Sequence, residues 1–357
     1  MGIKSYLKLM LEKNASDMFY RAGANVHMRI DGKVLSIDER IISLDEVNDA
    51  IKELTPHELK DFFQRNLDVD FGIFLPELDH RFRISIFMQR NWPALVIRNI
   101  RSNIQTFDEL NLPNEVLNKL SLESRGLILL TGSAGSGKST TIASMIEYIN
   151  NHCQKHILTV EEPIEFTFKD AKSIINQREL GMDVSSYAAA LKGVTLQSPD
   201  VIFIGNIRDY ETVSAALTAA ETGVLVLTTL HTVNASKSIE RLVNFFPPHQ
   251  HAEVRAQLSS LLKGVISLRL VPYKDKPGRV PAYESMLLTP TIGRLIREGK
   301  IWEITSFIED GSLFGMQSFN QSLIKLVRAG SISEEDAANV SDSRDEFILS
   351  LKGIKKA

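Results

Sequence analysis

The chain has one cysteine, Cys153, which excludes an intrachain disulfide and a cysteine-built zinc element and points to a reducing compartment, by default the cytoplasm. It also lacks any apolar run near the ~20 residues that a membrane-spanning helix needs. Its opening, MGIKSYLKLMLEKNASD, interrupts apolar residues with charges at helical spacing instead of forming a signal-peptide core, so membrane association is expected only through a partner. An excess of positive charge is missing too. Lys plus Arg number 41 against 44 Asp plus Glu, a net charge of -3, and no basic, aromatic-interleaved groove is visible, so nucleic acid is not expected as a partner. Internal repeats and charge blocks are absent. What is there is ordinary globular composition, 357 residues with 43% hydrophobic and 24% charged positions, enough for two domains with their own cores.

Ile3, Tyr6, Leu7, Met10 and Leu11 share one helical face, and the spacing predicts a first helix over 3–13. In VHMRIDGKVLSI, Asp31-Gly32 between apolar alternations predicts a hairpin. Helical stretches over 43–53 and 56–65 follow, then three strand-like runs, VDFGIFL, RFRISIFMQR and PALVIRNI, so residues 1–98 read as a small α+β domain. Residues 99–114 lose periodicity, end near Pro113 and read as a linker. Beyond it strand and helix alternate: LILLT, a helix from Lys138, HILTV, a helix over 185–196, VIFIG, a helix over 210–221, and VLVLTTL. Apolar strands of this kind predict a parallel sheet covered on both faces, here a core over 115–280. After GVISLRLVP the remainder, 281–357, reads as mainly helical.

Gly132-Ser133-Ala134-Gly135-Ser136-Gly137-Lys138-Ser139-Thr140 contains G-x-x-x-x-G-K-[ST], a pattern met by chance on the order of once in a hundred chains of this composition. It follows an apolar strand and opens an apolar-periodic helix, the setting a phosphate cradle requires. In that setting the glycines let the loop turn its N–H groups to the phosphates, Lys138 reaches the β- and γ-phosphates, and Ser139 offers a hydroxyl to Mg²⁺, so ATP with Mg²⁺ is the expected ligand. Hydrolysis also needs a group to orient water. Glu161-Glu162-Pro163 closes HILTV, Gly205-Asn206-Ile207-Arg208-Asp209 follows VIFI, and His231 follows VLVLTTL, which places three polar strand ends on one sheet edge. The acid that usually holds Mg²⁺ after such a strand is missing, Asn206 standing there instead. His152 and His156, four apart, read as a solvated pair; no carboxylate or cysteine supports a metal site.

In this order, ASDMF, RFRISIFMQR, GSAGSGKSTT, TVEEPIEF, QRELGMD, SPDVIFIGNIRD, AAETGVLVLTTLHT, ERLVNFFP and GMQSFNQSL resemble the secretion ATPase superfamily, and within it the type IV pilus retraction ATPases of the PilT/PilU group. NFFPPH, LRLVP and SDSRDEFILSLKG are more PilU-like; LIREGK is PilT-like, but TIGR precedes it, with Gly293 where PilT has an arginine. The resemblance implies a PAS-like N-terminal domain, a RecA-like P-loop ATPase core, a helical C-terminal region and a homo-hexameric ring with ATP between neighbouring chains. It matches Lys138 and Ser139 to the Walker A pair, Glu161 to the catalytic glutamate and His231 to the second His-box histidine. Arg81, Arg83 and Arg98 fall among the N-terminal-domain arginines that approach the nucleotide. It also implies a place at the cytoplasmic face of the inner membrane, with a pilus platform protein and a paralogous retraction ATPase as partners.

The departures from the family pattern bear on activity. Asn206 replaces the Walker B glutamate, Val224 the first His-box histidine and Leu196 the arginine of the LRQ block. These three losses around one site predict weakened catalysis with nucleotide binding largely intact. Two readings follow: a retraction motor with attenuated hydrolysis, or an accessory ring that binds nucleotide and supports a competent paralogue. An assembly or type II secretion ATPase would carry a four-cysteine zinc element. A P-loop kinase would need an acceptor pocket and lid that are not found.

Overall fold

Apolar side chains three and four apart shape the first helix, α1 (Ile3–Glu12), which buries Ile3, Tyr6, Leu7 and Met10. A computed structural model describes residues 2–30, 32–57, 59, 66–100 and 103–354. In it β1 (Asp17–Arg21) pairs with β2 (His27–Ile30), and β2 turns back into β3 (Lys33–Ser36) with Ile30 opposite Lys33. That register leaves a two-residue turn. Gly32 takes φ +80°, as the predicted hairpin requires, while Asp31 lies outside the described residues. The helix α2 (Leu44–Leu54) starts at a capping box in which Ser43 and Glu46 satisfy each other's backbone N–H groups. The expected helix over 56–65 lies mostly outside the described residues.

The three predicted strands are present as β4 (Asp68–Leu75), β5 (His80–Gln89) and β6 (Trp92–Asn99). Among the described residues the six strands form one antiparallel sheet in the order β3-β2-β1-β6-β5-β4. Period-two burial builds its core: Phe82, Ile84 and Ile86 of β5 meet Tyr6, Leu7 and Met10 of α1 in one apolar cluster.

The second core begins at Phe107 and Leu112, both buried in it, so the stretch expected to be a linker is pinned from 107 onward. Then follow α3 (Asn114–Ser121), β7 (Gly126–Thr131), α4 (Lys138–His152), β8 (His156–Glu161) and β9 (Ile174–Glu179). The predicted helix over 185–196 is two short ones, α5 (Tyr187–Lys192) and α6 (Val194–Gln197), with Gly193 between them. β10 (Val201–Ile204), α7 (Tyr210–Glu221), β11 (Leu225–Leu230), α8 (Ala235–Asn244), α9 (His251–Leu261) and β12 (Leu262–Pro272) complete the alternation. An antiparallel strand, β13 (Arg279–Leu287), pairs along the whole of β12. The boundary drawn at 280/281 therefore cuts a strand. Among the described residues five further helices follow: α10 (Pro290–Glu298), α11 (Ile304–Asp310), α12 (Phe319–Arg328), α13 (Glu334–Val340) and α14 (Arg344–Leu351).

The resulting seven-stranded sheet has the order β13-β12-β7-β11-β10-β8-β9 among the described residues, parallel except for β12 with β13. β7, β10 and β11 are buried throughout, as the unbroken apolar runs predict. The sequence reading missed the two edge strands, β9 and β13. β9 (IINQRE) has two apolar residues followed by four polar ones, and β13 (RVPAYESML) is interrupted by Glu284 and Ser285, so neither shows the continuous run that marks the central strands. The chain divides into two compact units, Met1–Asn103 with Pro163–Thr167, and Ile104–Glu162 with Phe168–Ala357. The α/β core and the N-terminal α+β domain thus have the architectures the sequence predicts. No helix among the described residues is long and apolar enough to cross a membrane.

Candidate functional site

The parallel register fixes which residues share an edge. Thr131 of β7 lies opposite Leu230 of β11, Thr228 of β11 opposite Ile204 of β10, and Ile204 opposite Val160 of β8. Hence Gly132, His231, Gly205-Asn206 and Glu161 all emerge at the carboxyl ends of four adjacent strands, where open α/β sheets bind their ligands.

The phosphate loop leaves β7 through three glycines at positive φ: Gly132 (+144°), Gly135 (+74°) and Gly137 (+100°). A Cβ on Gly132 would stand 2.5 Å from both Leu268 O and Ser136 Oγ, so this loop path closes to any other residue. Lys138, the first residue of α4, donates from Nζ to Gly132 O and Ser133 O, both at 2.8 Å. One positive charge is thereby held over a loop of backbone N–H groups at a helix N-terminus, a site that fits an anionic phosphate chain. Ser136 is buried, with its Oγ unpartnered; Ser133, Ala134 and Gly135 are exposed; Ser139 and Thr140 are half-buried in the first turn of α4.

Glu161 ends β8 and is 7% exposed. Its Oε1 accepts from Thr159 Oγ1 at 2.7 Å and from Gln177 Nε2 of β9 at 3.3 Å, which fixes the carboxylate at the strand end. Sequence reasoning missed both partners. Thr159 was findable, since two residues apart on a strand means the same face; Gln177 depended on β9. Asn206 is pinned through its neighbours: Gly205 N–H donates to Val160 O at 2.8 Å, Thr229 Oγ1 to Gly205 O at 2.6 Å, and Ile207 N–H to Thr229 O at 3.2 Å. Its Oδ1 is buried with no hydrogen-bond partner in the protein. A buried carbonyl oxygen at this edge fits a metal-bound water, and Asn206 and Ser139, both neutral, are the side chains that would hold Mg²⁺ here. His231 is held below its ordinary pKa by partial burial and then by the positive charges of Lys138 and Arg208, so it is neutral at pH 7. Arg208 is in turn paired with Glu162 at 3.1 Å.

Other expected residues lie elsewhere. Val224 precedes β11, at the opposite end of that strand from His231, and its carbonyl accepts from Gly126 N–H at the start of β7. Six residues at about 3.3 Å each put it roughly 20 Å along the strand from the nucleotide edge. Leu196 is 89% exposed on α6, ahead of β10. The expectation of three losses around one site is therefore corrected: within the chain only Asn206 stands at that edge. The two histidines do not share a helix face. His152 ends α4 while His156 starts β8, and each has its own partner, Tyr148 O at 2.8 Å and Asn176 Oδ1 at 2.8 Å. No group of three or more metal-ligating side chains occurs among the described residues.

Arg81, Arg83 and Arg98 belong to the first unit. Arg81 and Arg83 lie on β5 and Arg98 on β6, with Arg83 opposite Arg98. Arg83 pairs with Asp70 and Arg98 with Asp17, at 2.9 Å for the latter. Gly293 also gains a reason, because a Cβ there would stand 3.0 Å from Ser259 O, where α10 crosses α9.

A strand–glycine loop–helix cradle with a capping lysine, on the carboxyl edge of a parallel sheet, defines a P-loop protein of the α/β class. The chain belongs to the family described as type II/IV secretion system protein, which matches residues 2–311. Among its relatives, the type IV pilus ATPase PilU of Pseudomonas aeruginosa is 39% identical over 352 residues, 99% of this chain and 92% of the relative. The type IV pilus retractation ATPase PilT of the same organism is 40% identical over 347 residues, 97% of this chain and 100% of the relative. A crystal structure of the pilus retraction motor PilT with bound ADP shares the fold at a TM-score of 0.90 and 42% identity, covering 97% of this chain and 98% of that one.

Proposed function

We propose that this chain is the ATP-binding subunit of a homo-hexameric motor at the base of a type IV pilus, supporting pilus retraction and twitching motility. The observation that carries the reading is the shared strand edge that holds the phosphate loop with Lys138, and beside it Glu161 and His231. The near-full-length similarity to PilU and PilT supports it. Loop N–H groups and the Lys138 ammonium bind and orient the phosphates. Glu161, kept in place by Thr159 and Gln177, accepts a proton from the attacking water. His231 can hydrogen-bond at the γ-phosphate side. Mg²⁺, held by the Ser139 hydroxyl and the Asn206 amide, would supply charge neutralisation between the phosphates. Arg81, Arg83 and Arg98 are the cations that a domain movement would bring to the transferring phosphoryl group.

Asn206 favours a second reading of the same site. An amide brings no negative charge to Mg²⁺, so hydrolysis is attenuated, and the ring serves beside a competent paralogous retraction ATPase. Its place is the cytoplasmic face of the inner membrane, reached through the pilus platform protein. The test is a titration with a fluorescent ATP analogue, with phosphate release and light scattering on the same protein. Binding lost in Lys138→Ala and a nucleotide-supported hexamer are expected. Unchanged binding in Lys138→Ala would remove the site assignment, and a strict monomer with and without nucleotide would remove the ring.

A further inference from the structure

Tyr187 opens α5 and packs into the core of the second unit, 8% exposed. Its hydroxyl has no hydrogen-bond partner in the protein. An unsatisfied buried hydroxyl costs free energy that a phenylalanine of the same shape would avoid, so its presence calls for a partner in some state of the protein.

Two close approaches locate that hydroxyl. A Cβ built on Gly205 would lie 3.2 Å from Tyr187 Oη and 3.3 Å from Glu161 Cα. The missing side chain at 205 lets the phenol tip reach the adjoining ends of β8 and β10, against the residue that bears the carboxylate. The charges that act on the phenol are Glu162, Arg208 and Glu161; burial first, and then the two carboxylates against the arginine, push its pKa above the ordinary value. Tyr187 is therefore a protonated donor at every physiological pH. The next residue in the chain, Asn206, also carries a buried unpartnered atom, the acceptor Oδ1. A donor and an acceptor, each about nine-tenths buried and each without a protein partner, thus flank Gly205 beside Glu161.

We infer that Tyr187 belongs to the hydrolytic centre, its hydroxyl anchoring the water that Glu161 activates. The inference rests on the ATPase reading above. In the step, one water lone pair accepts the Tyr187 hydrogen bond and the other attacks the γ-phosphorus. The bond from that phosphorus to the ADP oxygen breaks, the water proton passes to Glu161, and Tyr187 is unchanged. A water held at two or three points loses the orientational freedom that would otherwise enter the barrier.

Tyr187→Phe removes the hydroxyl and keeps the ring. The full-length variant is expected to bind ADP as tightly as the parent and to melt no lower. Its kcat should fall about tenfold at unchanged KM, and its affinity for ADP with aluminium fluoride, a mimic that includes the attacking position, about tenfold as well. Parental kcat and parental affinity for the mimic in Tyr187→Phe would overturn the inference while leaving the ATPase reading in place. A lower melting temperature together with weaker ADP binding would make the hydroxyl structural and overturn it equally. A parent that does not bind ADP would overturn the reading itself, and this inference with it.

Discussion

Glu284 Oε1 accepts the backbone N–H of Ala235 at 2.7 Å, so a carboxyl group on the antiparallel edge strand β13 holds the first turn of α8, four residues beyond His231. Glu284 is 3% exposed. Burial is the main cause that pushes its pKa from 4.5 up to about 7; the Ala235 bond opposes this, as does Arg269, while Asp342 and Glu309 add to it.

The folded chain therefore keeps this proton between pH 4.5 and about 7, where the unfolded chain has released it, so folding stability falls as pH rises through that window. Relative to Glu284→Gln, the parent is expected to lose up to about 3 kcal/mol across it. Urea unfolding of both proteins at pH 5 and pH 8, read as a difference, checks this; parallel pH profiles would contradict it.

At the phosphate loop, Gly132→Ala must place a methyl 2.5 Å from Leu268 O at φ +144°. The strain of such a conformation is of order 1–3 kcal/mol. Nucleotide affinity should fall at least about tenfold and the melting temperature should drop. Gly135→Ala, with nothing within 4 Å of its Cβ but φ +74°, should do less. Equal effects in the two variants would mean that the close approach at Gly132 has no role.

Replacing Asn206 by glutamate puts a negative charge where the proposed Mg²⁺ would bind. Turnover is expected to rise by roughly 10²- to 10³-fold, with little change in nucleotide affinity. Val224 and Leu196 do not stand at this edge, so one substitution suffices within the chain. Phosphate release that is already at motor rates in the parent and unmoved by Asn206→Glu would end the attenuated-motor reading.

In the first unit, Asp17 is 6% exposed and accepts from Arg98 Nε at 2.9 Å, Arg29 Nε at 3.2 Å and Ser16 Oγ at 2.8 Å. Burial raises its pKa, but the Arg98 and Ser16 bonds and the two guanidinium charges outweigh that and hold it below 3.8. The stabilisation is thus present above pH 3.8 and lost as pH falls through the depressed value. Asp17→Asn is expected to cost about 1–2 kcal/mol at pH 7, both arginines being partly exposed, and the gap from the parent is expected to narrow as pH falls below 3.8. Denaturation of both proteins at pH 7 and through the acid range decides it; a gap that stays constant with pH would contradict it.

The P-loop, the central strands and the strand-end polar residues were legible because each is written in contiguous sequence. GSAGSGKST can hardly serve another loop, and fully apolar runs such as VIFI and LILLT only suit strands covered on both faces. The cap at Ser43 with Glu46, although written locally, was not read from the sequence. β9 and β13 were not legible, since neither IINQRE nor RVPAYESML has the continuous apolar run of the central strands or a strict two-residue period.

By itself, then, the sequence determined where the phosphate-loop motif lies and which strands bring Glu161, Asn206 and His231 to their ends. Only the tertiary structure decided what surrounds them. Val224 lies at the far end of β11 because a strand separates its ends by length, whatever the motif that contains them. Gln177 orients Glu161 because β9 pairs with β8, and Tyr187 reaches the same strand end because residue 205 has no side chain to exclude it. These relations depend on register and close approach between segments distant in the chain, and no local spacing encodes them.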